Sequence, residues 1–204
     1  MLRRTILAAV LLASVAWADP YDQIAVSVGN QVITESAVLL DLRVSAFLDQ
    51  TPLDLSAAKK REAAERLVDQ LLILRDASES HLSLPTEKNV ESALEQVRKM
   101  FATPEEYEAS LRHYQIREKD VEAQLVSGLQ ALTFTDLRFR PGIQITDEDL
   151  RAYYNSIQEP SSFETAREQI EELLMRKRVT EELDKWLADE GKSANIRYRE
   201  QVFQ

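Results

Sequence analysis

Strand-forming sequence lies at the two ends of this chain and helix-forming sequence fills the span between, and that arrangement limits the folds open to it. In IAVSVGNQVITES, Ile24 to Ser36, the residues Ile24, Val26 and Val28 alternate with Ala25 and Ser27. This is the period-two sign of a half-buried strand. Gly29-Asn30 permits the positive φ of a hairpin turn, Val32-Ile33 returns, and Thr34 caps a helix. At the far end, in ANIRYREQVF, Ile196, Tyr198 and Val202 read as a strand. An isolated two-stranded hairpin is marginal in water. Pairing Ile196–Arg199 with the Ile24–Ile33 hairpin gives each end a partner and closes the chain into one domain.

Between the ends, only 4 glycines and 6 prolines occur among many Leu, Ala, Glu, Arg and Lys, which predicts a mainly α fold. The first helix carries Val38, Leu39, Leu42, Val44 and Leu48, and Gln50 to Leu55 breaks it. Ser56 caps a second helix with a Leu67, Leu71, Leu74 stripe widened by Val68 and Leu72, the pattern of a centrally buried element. Pro85 and Thr86 restart the chain into a helix with Val90, Leu94, Val97 and Phe101. Thr103-Pro104-Glu105-Glu106 reads as a capping box that opens a short helix through Tyr107 and Leu111. A long helix from about Arg117 is predicted to bury Val121, Leu125, Leu129 and Leu132 and to stop by Pro141-Gly142. Thr146-Asp147-Glu148-Asp149 opens another, with acidic residues where the helix dipole favours them. The last helix runs from Phe163 to about Glu190, with Ala166, Ile170, Leu173, Leu183, Trp186 and Leu187 inward and Gly191 as its C-terminal cap.

The first 18 residues read as a cleavable export signal: Arg3 and Arg4, an apolar run of 13 residues from Ile6 to Ala18, and small residues at Ala16 and Ala18. That run is short of the roughly 20 residues a spanning helix needs, so retention as an anchor is the lesser alternative. The chain carries 25 basic and 35 acidic side chains, net −10, and loss of the two signal arginines makes this −12. Such a surface repels nucleic acid and anionic lipid, and neither nucleic-acid binding nor stable membrane insertion is expected. With no cysteine, neither a disulfide nor a lipid attachment at the cleavage site is possible.

A resemblance rests on four segments. IAVSVGNQVITES resembles the opening of the SurA-type periplasmic chaperones, relatives of PpiD and PrsA. WLADEGKSANIRY, Trp186 to Tyr198, is similar to the closing helix and strand of their chaperone module. ITDEDLRAYYN, Ile145 to Asn155, resembles the segment before the isomerase domain in that family, and SFETAREQIEELL, Ser162 to Leu174, the segment after it. Family members usually insert one or two parvulin-type prolyl isomerase domains there, rich in glycine and histidine. Here only Asn155 to Ser162 joins the two segments. Gly29, Gly128, Gly142, Gly191, His81 and His113 all lie away from the junction. The resemblance thus implies a chaperone module without its isomerase: a multi-helix domain over 19–204, with an N-terminal part 24–155, a linker 156–162, and a completing helix and strand 163–204.

Catalytic constellations are scarce. His81 and His113 sit in different elements without metal-spaced partners and read as exposed or capping. Glu105-Glu106 and Asp147-Glu148-Asp149 read as helix-start residues, and no phosphate loop or nucleophile motif occurs. No cofactor, metal or catalytic residue is expected. Met100, Phe101, Tyr107, Tyr114, Phe134 and Phe139 concentrate in the middle helices, where most serve as core on one reading and several line a client groove on the other. Tyr153 and Tyr154 are adjacent and cannot share a face, which puts at least one at an edge; Tyr154 joins the client-binding candidates. Trp186 reads as core. The expected function is ATP-independent holding of unfolded clients, above all outer-membrane β-barrel proteins, by a periplasmic monomer or homodimer. The alternatives are a prolyl isomerase and a non-catalytic adaptor or dimerisation module. A separate isomerase acting in trans is compatible with each.

Overall fold

The computed structural model describes residues 22–157 and 162–204. The expected export signal and residues 158–161 of the expected linker lie outside the described residues. The termini do close on each other. Strand β1, Ile24–Val28, is the middle of a three-stranded antiparallel sheet, flanked by β2, Gln31–Thr34, and β3, Ile196–Tyr198. Val28 faces Gln31 across the hairpin and Ile196 on the other side, while Val26 faces Ile33 and Tyr198. Only the first turn residue takes positive φ, Gly29 at +60°, as a type II′ turn requires, and Asn30 does not. The Arg199 N–H donates to the Ala25 carbonyl at 2.8 Å and prolongs the closure.

The half-buried reading of β1 is corrected. Ala25 and Val26 are both fully buried, whereas Ile24 is 43% exposed. Adjacent strand residues point to opposite faces, so β1 is covered on both. The cover comes from helices α1, Glu35–Leu48, and α2, Ala57–Glu79, together with a 3-10 turn at Glu200–Phe203. That turn also corrects the place of Val202. It does not continue the strand, and Val202 and Phe203 fold back into the core beside Val26 and Val68.

Thr34 and Ser56 cap α1 and α2, each side chain accepting from the N–H three residues on. The centre of the domain is α2. Its buried residues are Ala63, Ala64, Val68, Leu72, Ile73 and Ala77, rather than the Leu67, Leu71, Leu74 stripe, which is only half-buried. Small residues let the sheet and neighbouring helices approach closely there. Asp41 of α1 is the buried charged residue among those described. Arg66 Nη2 donates to it at 2.5 Å and Gln124 Nε2 at 3.4 Å, so the cost of burial is offset by partners from two other helices.

The remaining helices are α3, Glu91–Arg98; α4, Pro104–Tyr114; α5, Glu118–Phe139; α6, Asp147–Ser156; and α7, Phe163–Ser193. The predicted inner face of α5 is half right. Val121 is fully buried but Leu132 is 67% exposed, and the second fully buried position is Phe134. This helix serves two clusters in turn. Its start packs with Phe47, Leu94 and Tyr107, and its end with Ile73 and Ala77 of α2. The partners lie in different directions, so the buried face rotates along the helix. Leu173 of α7 is likewise exposed while Ala166 and Ile170 are buried. Gly191 does not cap α7. The helix continues to Ser193, and the left-handed residue that ends it is Asn195, φ +50°.

Candidate functional site

The α3–α4 corner and its neighbours form a cleft walled by two aromatic side chains, Phe101 and Tyr107. Thr103, in extended conformation, caps α4, and its Oγ1 accepts from the Glu106 N–H at 3.2 Å, with Pro104 in the first turn. Glu106 does not complete the expected box on Thr103. Its carboxylate reaches one residue further back, to the Ala102 N–H at 3.2 Å, and stiffens the corner itself. Gln115 ends α4 at φ +57°, and Arg117 then starts α5, its N–H donating to Asp120 at 2.8 Å.

This path lays two short helices over Phe47 of α1, which is only 1% exposed. Phe101 stacks on Phe47 at 5.5 Å between centroids, and Tyr107 and Tyr114 meet it edge-on at 5.9 and 6.0 Å. Phe101 and Tyr107 meet at 5.4 Å. Offset and edge-on pairs of this kind contribute on the order of 1 kcal/mol each beyond burial. Beside them opens a cleft of about 700 Å³ with apolar walls from Phe101, Ala102, Pro104, Tyr107 and Leu111. Its rim carries Glu95, Arg98, Lys99, Glu108 and Glu118. The size falls within the range of sites that hold small ligands or short peptide segments.

Electrostatics at the rim centre on one pair. Arg98 clamps Glu118 with Nε and Nη2 at 3.0 and 2.7 Å, each bond going to a different oxygen. That clamp holds the Glu118 carboxyl below its usual range and raises the already high pKa of Arg98. The Tyr107 hydroxyl lies buried beside this pair without a hydrogen bond. Burial, and then the proximity of the Glu118 carboxylate, push its pKa up to about 12, so it stays protonated.

The sequence-derived candidates separate into three places. Phe101 and Tyr107 line the cleft. Tyr114 belongs to the same aromatic cluster, its hydroxyl donating to the Thr51 carbonyl at 2.8 Å, and Met100 is 49% exposed at the corner. Phe134 and Phe139 pack instead with Trp186, at 5.2 and 6.2 Å, in the α2–α5–α7 core. Tyr154 lies against Phe163, at 5.4 Å, in the small α6–α7 cluster, where both it and Tyr153 are half-buried. One groove lined by all seven is therefore not formed. Phe47, Pro104 and Leu111 were missed as site residues. The i,i+4 spacing of Tyr107 and Leu111 was the available signal for Leu111.

A second cleft, about 600 Å³, is lined by Arg138, Phe139, Ile143, Gln144 and Arg178, so one edge of Phe139 reaches it. It is tied by polar contacts: Arg178 donates to the Gln144 carbonyl at 2.5 Å and to Asp149 at 2.6 Å. Asp149 also completes the Thr146 cap, as the sequence predicts, and those bonds lower its pKa to about 2. His81 and His113 are exposed. Among the described residues no cluster of three or more metal-ligating side chains occurs, and no helix is long and apolar enough to cross a membrane. Compared with known proteins, the chain matches no family model and no curated protein.

Proposed function

We propose that this protein is an ATP-independent periplasmic chaperone of the SurA type, reduced to its chaperone module, that holds unfolded polypeptides. Its clients are outer-membrane β-barrel proteins in transit, whose alternating apolar residues cannot be satisfied in water. The observation that carries the reading is the α3–α4 cleft, an aromatic wall open to solvent beneath a charged rim. Aromatic walls suit clients of varied sequence, because every apolar side chain gains from burial against them. The terminal closure adds support, since it joins in one sheet the two end segments on which the resemblance rests.

Holding is reversible. Binding in the micromolar range, about 8 kcal/mol, is enough to compete with aggregation and weak enough to release a client for assembly. The acidic surface keeps the loaded complex soluble. Light scattering of a denatured β-barrel protein on dilution tests the reading: scattering should fall in proportion to added protein and recover with Phe101→Ala. Unchanged aggregation would sink it. So would substoichiometric catalysis in a proline-isomerisation assay, which would turn the assignment to an enzyme.

A further inference from the structure

Resting on the reading of the α3–α4 cleft as a client site, we propose that the cleft selects segments whose apolar side chain is flanked by a basic residue. The apolar part follows from the walls, Phe101, Tyr107 and Leu111. The basic part follows from which rim charges are still free. Arg98 and Glu118 neutralise each other, because both carboxylate oxygens of Glu118 already accept from Arg98. Glu95 is exposed and makes no ion pair among the described residues. Glu108 has only a 3.6 Å contact with Arg112, in which both side chains are about two-thirds exposed.

With Arg98 and Glu118 offsetting each other, Lys99 is the remaining cation of the lining against Glu95 and Glu108, and Arg112 touches Glu108 only at its exposed outer side. An occupant that brings a cation balances this excess, and one that brings a carboxylate adds to it. Low-dielectric walls beside the charges strengthen the local field, and the net charge of −10 reinforces it at longer range. The Tyr107 hydroxyl does not offset it, because it stays neutral.

The test uses the purified full-length protein and three fluorescent peptides that share one aromatic side chain and differ only in its neighbour: Arg, Gln or Glu. Anisotropy titrations should rank them Arg, Gln, Glu, with about a tenfold span in Kd at low salt, since each exposed ion pair contributes modestly. The span should shrink at high salt, where exposed charges are screened. In the double variant Glu95→Gln, Glu108→Gln the ranking should vanish while the Gln peptide binds as before. Equal binding of all three peptides overturns the selection and leaves the client site standing. A ranking that survives in the double variant overturns the assignment to Glu95 and Glu108. Binding of none of the peptides overturns the client site itself.

Discussion

Two aromatic clusters in this domain have much the same ring geometry and opposite fates. Phe134, Phe139 and Trp186 lie between 5.2 and 6.2 Å apart, and Phe47, Phe101, Tyr107 and Tyr114 between 5.4 and 6.0 Å of their neighbours. The first keeps Phe134 wholly inaccessible between α2, α5 and α7, each at least 22 residues long, and only Phe139 reaches a cleft, one walled mainly by polar side chains. The second is roofed by α3 and α4, of 8 and 11 residues, and its Phe101–Tyr107 side opens into the cleft. Ring chemistry is therefore not what opens a cleft here. Helix length is: a long helix covers most of an aromatic cluster, whereas two short ones meeting at a capped corner leave a gap.

The largest way to break this comparison is Phe134→Ala. Truncating a fully buried ring should cost about 3–5 kcal/mol in urea unfolding and leave client binding by the folded fraction unaltered. A loss of binding at full occupancy of the folded state would show that the Phe134 cluster also serves the site.

A smaller effect comes from pH. Asp69 of α2 is half-buried, makes no ion pair among the described residues, and faces Glu65 and Asp184. Burial first, then those charges, push its pKa up to about 6. A carboxyl whose folded pKa is raised holds its proton more tightly when folded, so its contribution to stability is complete below the unfolded value near 4 and is lost as pH rises through 6. Stability should therefore rise from pH 7 to about pH 4 on this account, by less than the full shift implies because solvent screens a partly exposed carboxylate. Asp69→Asn should flatten the profile. Below pH 4 the opposite trend takes over, because Glu118 and Asp149, whose folded pKa values are lowered, lose their contributions. A wild-type profile that is flat between pH 7 and 5 would refute the stranded carboxylate.

At the open cluster, Phe101→Ala should weaken client binding about tenfold, near 1.4 kcal/mol, at a stability cost below that of Phe134→Ala, since Phe101 is half-exposed. Calorimetric titration with a denatured barrel protein measures it, and an unchanged Kd would move the site elsewhere. The smallest effect belongs to Tyr107→Phe. Its hydroxyl is buried without a hydrogen bond, so removing it should leave thermal stability unchanged or raise it by up to about 1 kcal/mol. A clear loss would reveal a bond to Glu118 in solution.

Several features were legible because they are local or symmetric in the sequence. The hairpin turn at Gly29, the caps at Thr34, Ser56, Thr103 and Thr146, and the partnership of the two strand-like ends depend on a few neighbouring residues or on the need to satisfy strand edges. The errors share a different cause. Leu132 has the spacing of a core residue but faces solvent, and Gly191 has the chemistry of a cap but lies within a helix that continues to Ser193. Of the candidate site, Phe101 and Tyr107 were legible as aromatic residues beside a capped corner, while their separation from Phe134, Phe139 and Tyr154 was not.

The amino-acid sequence by itself determined the helix starts, the strand closure and the mainly helical class, because capping, turn and edge chemistry act over a few residues. Only the tertiary structure decided which apolar faces are buried and which aromatic cluster stays open. Those depend on where partners lie in space: α5 meets one set of neighbours at its start and another at its end, and helical period alone carries no such direction.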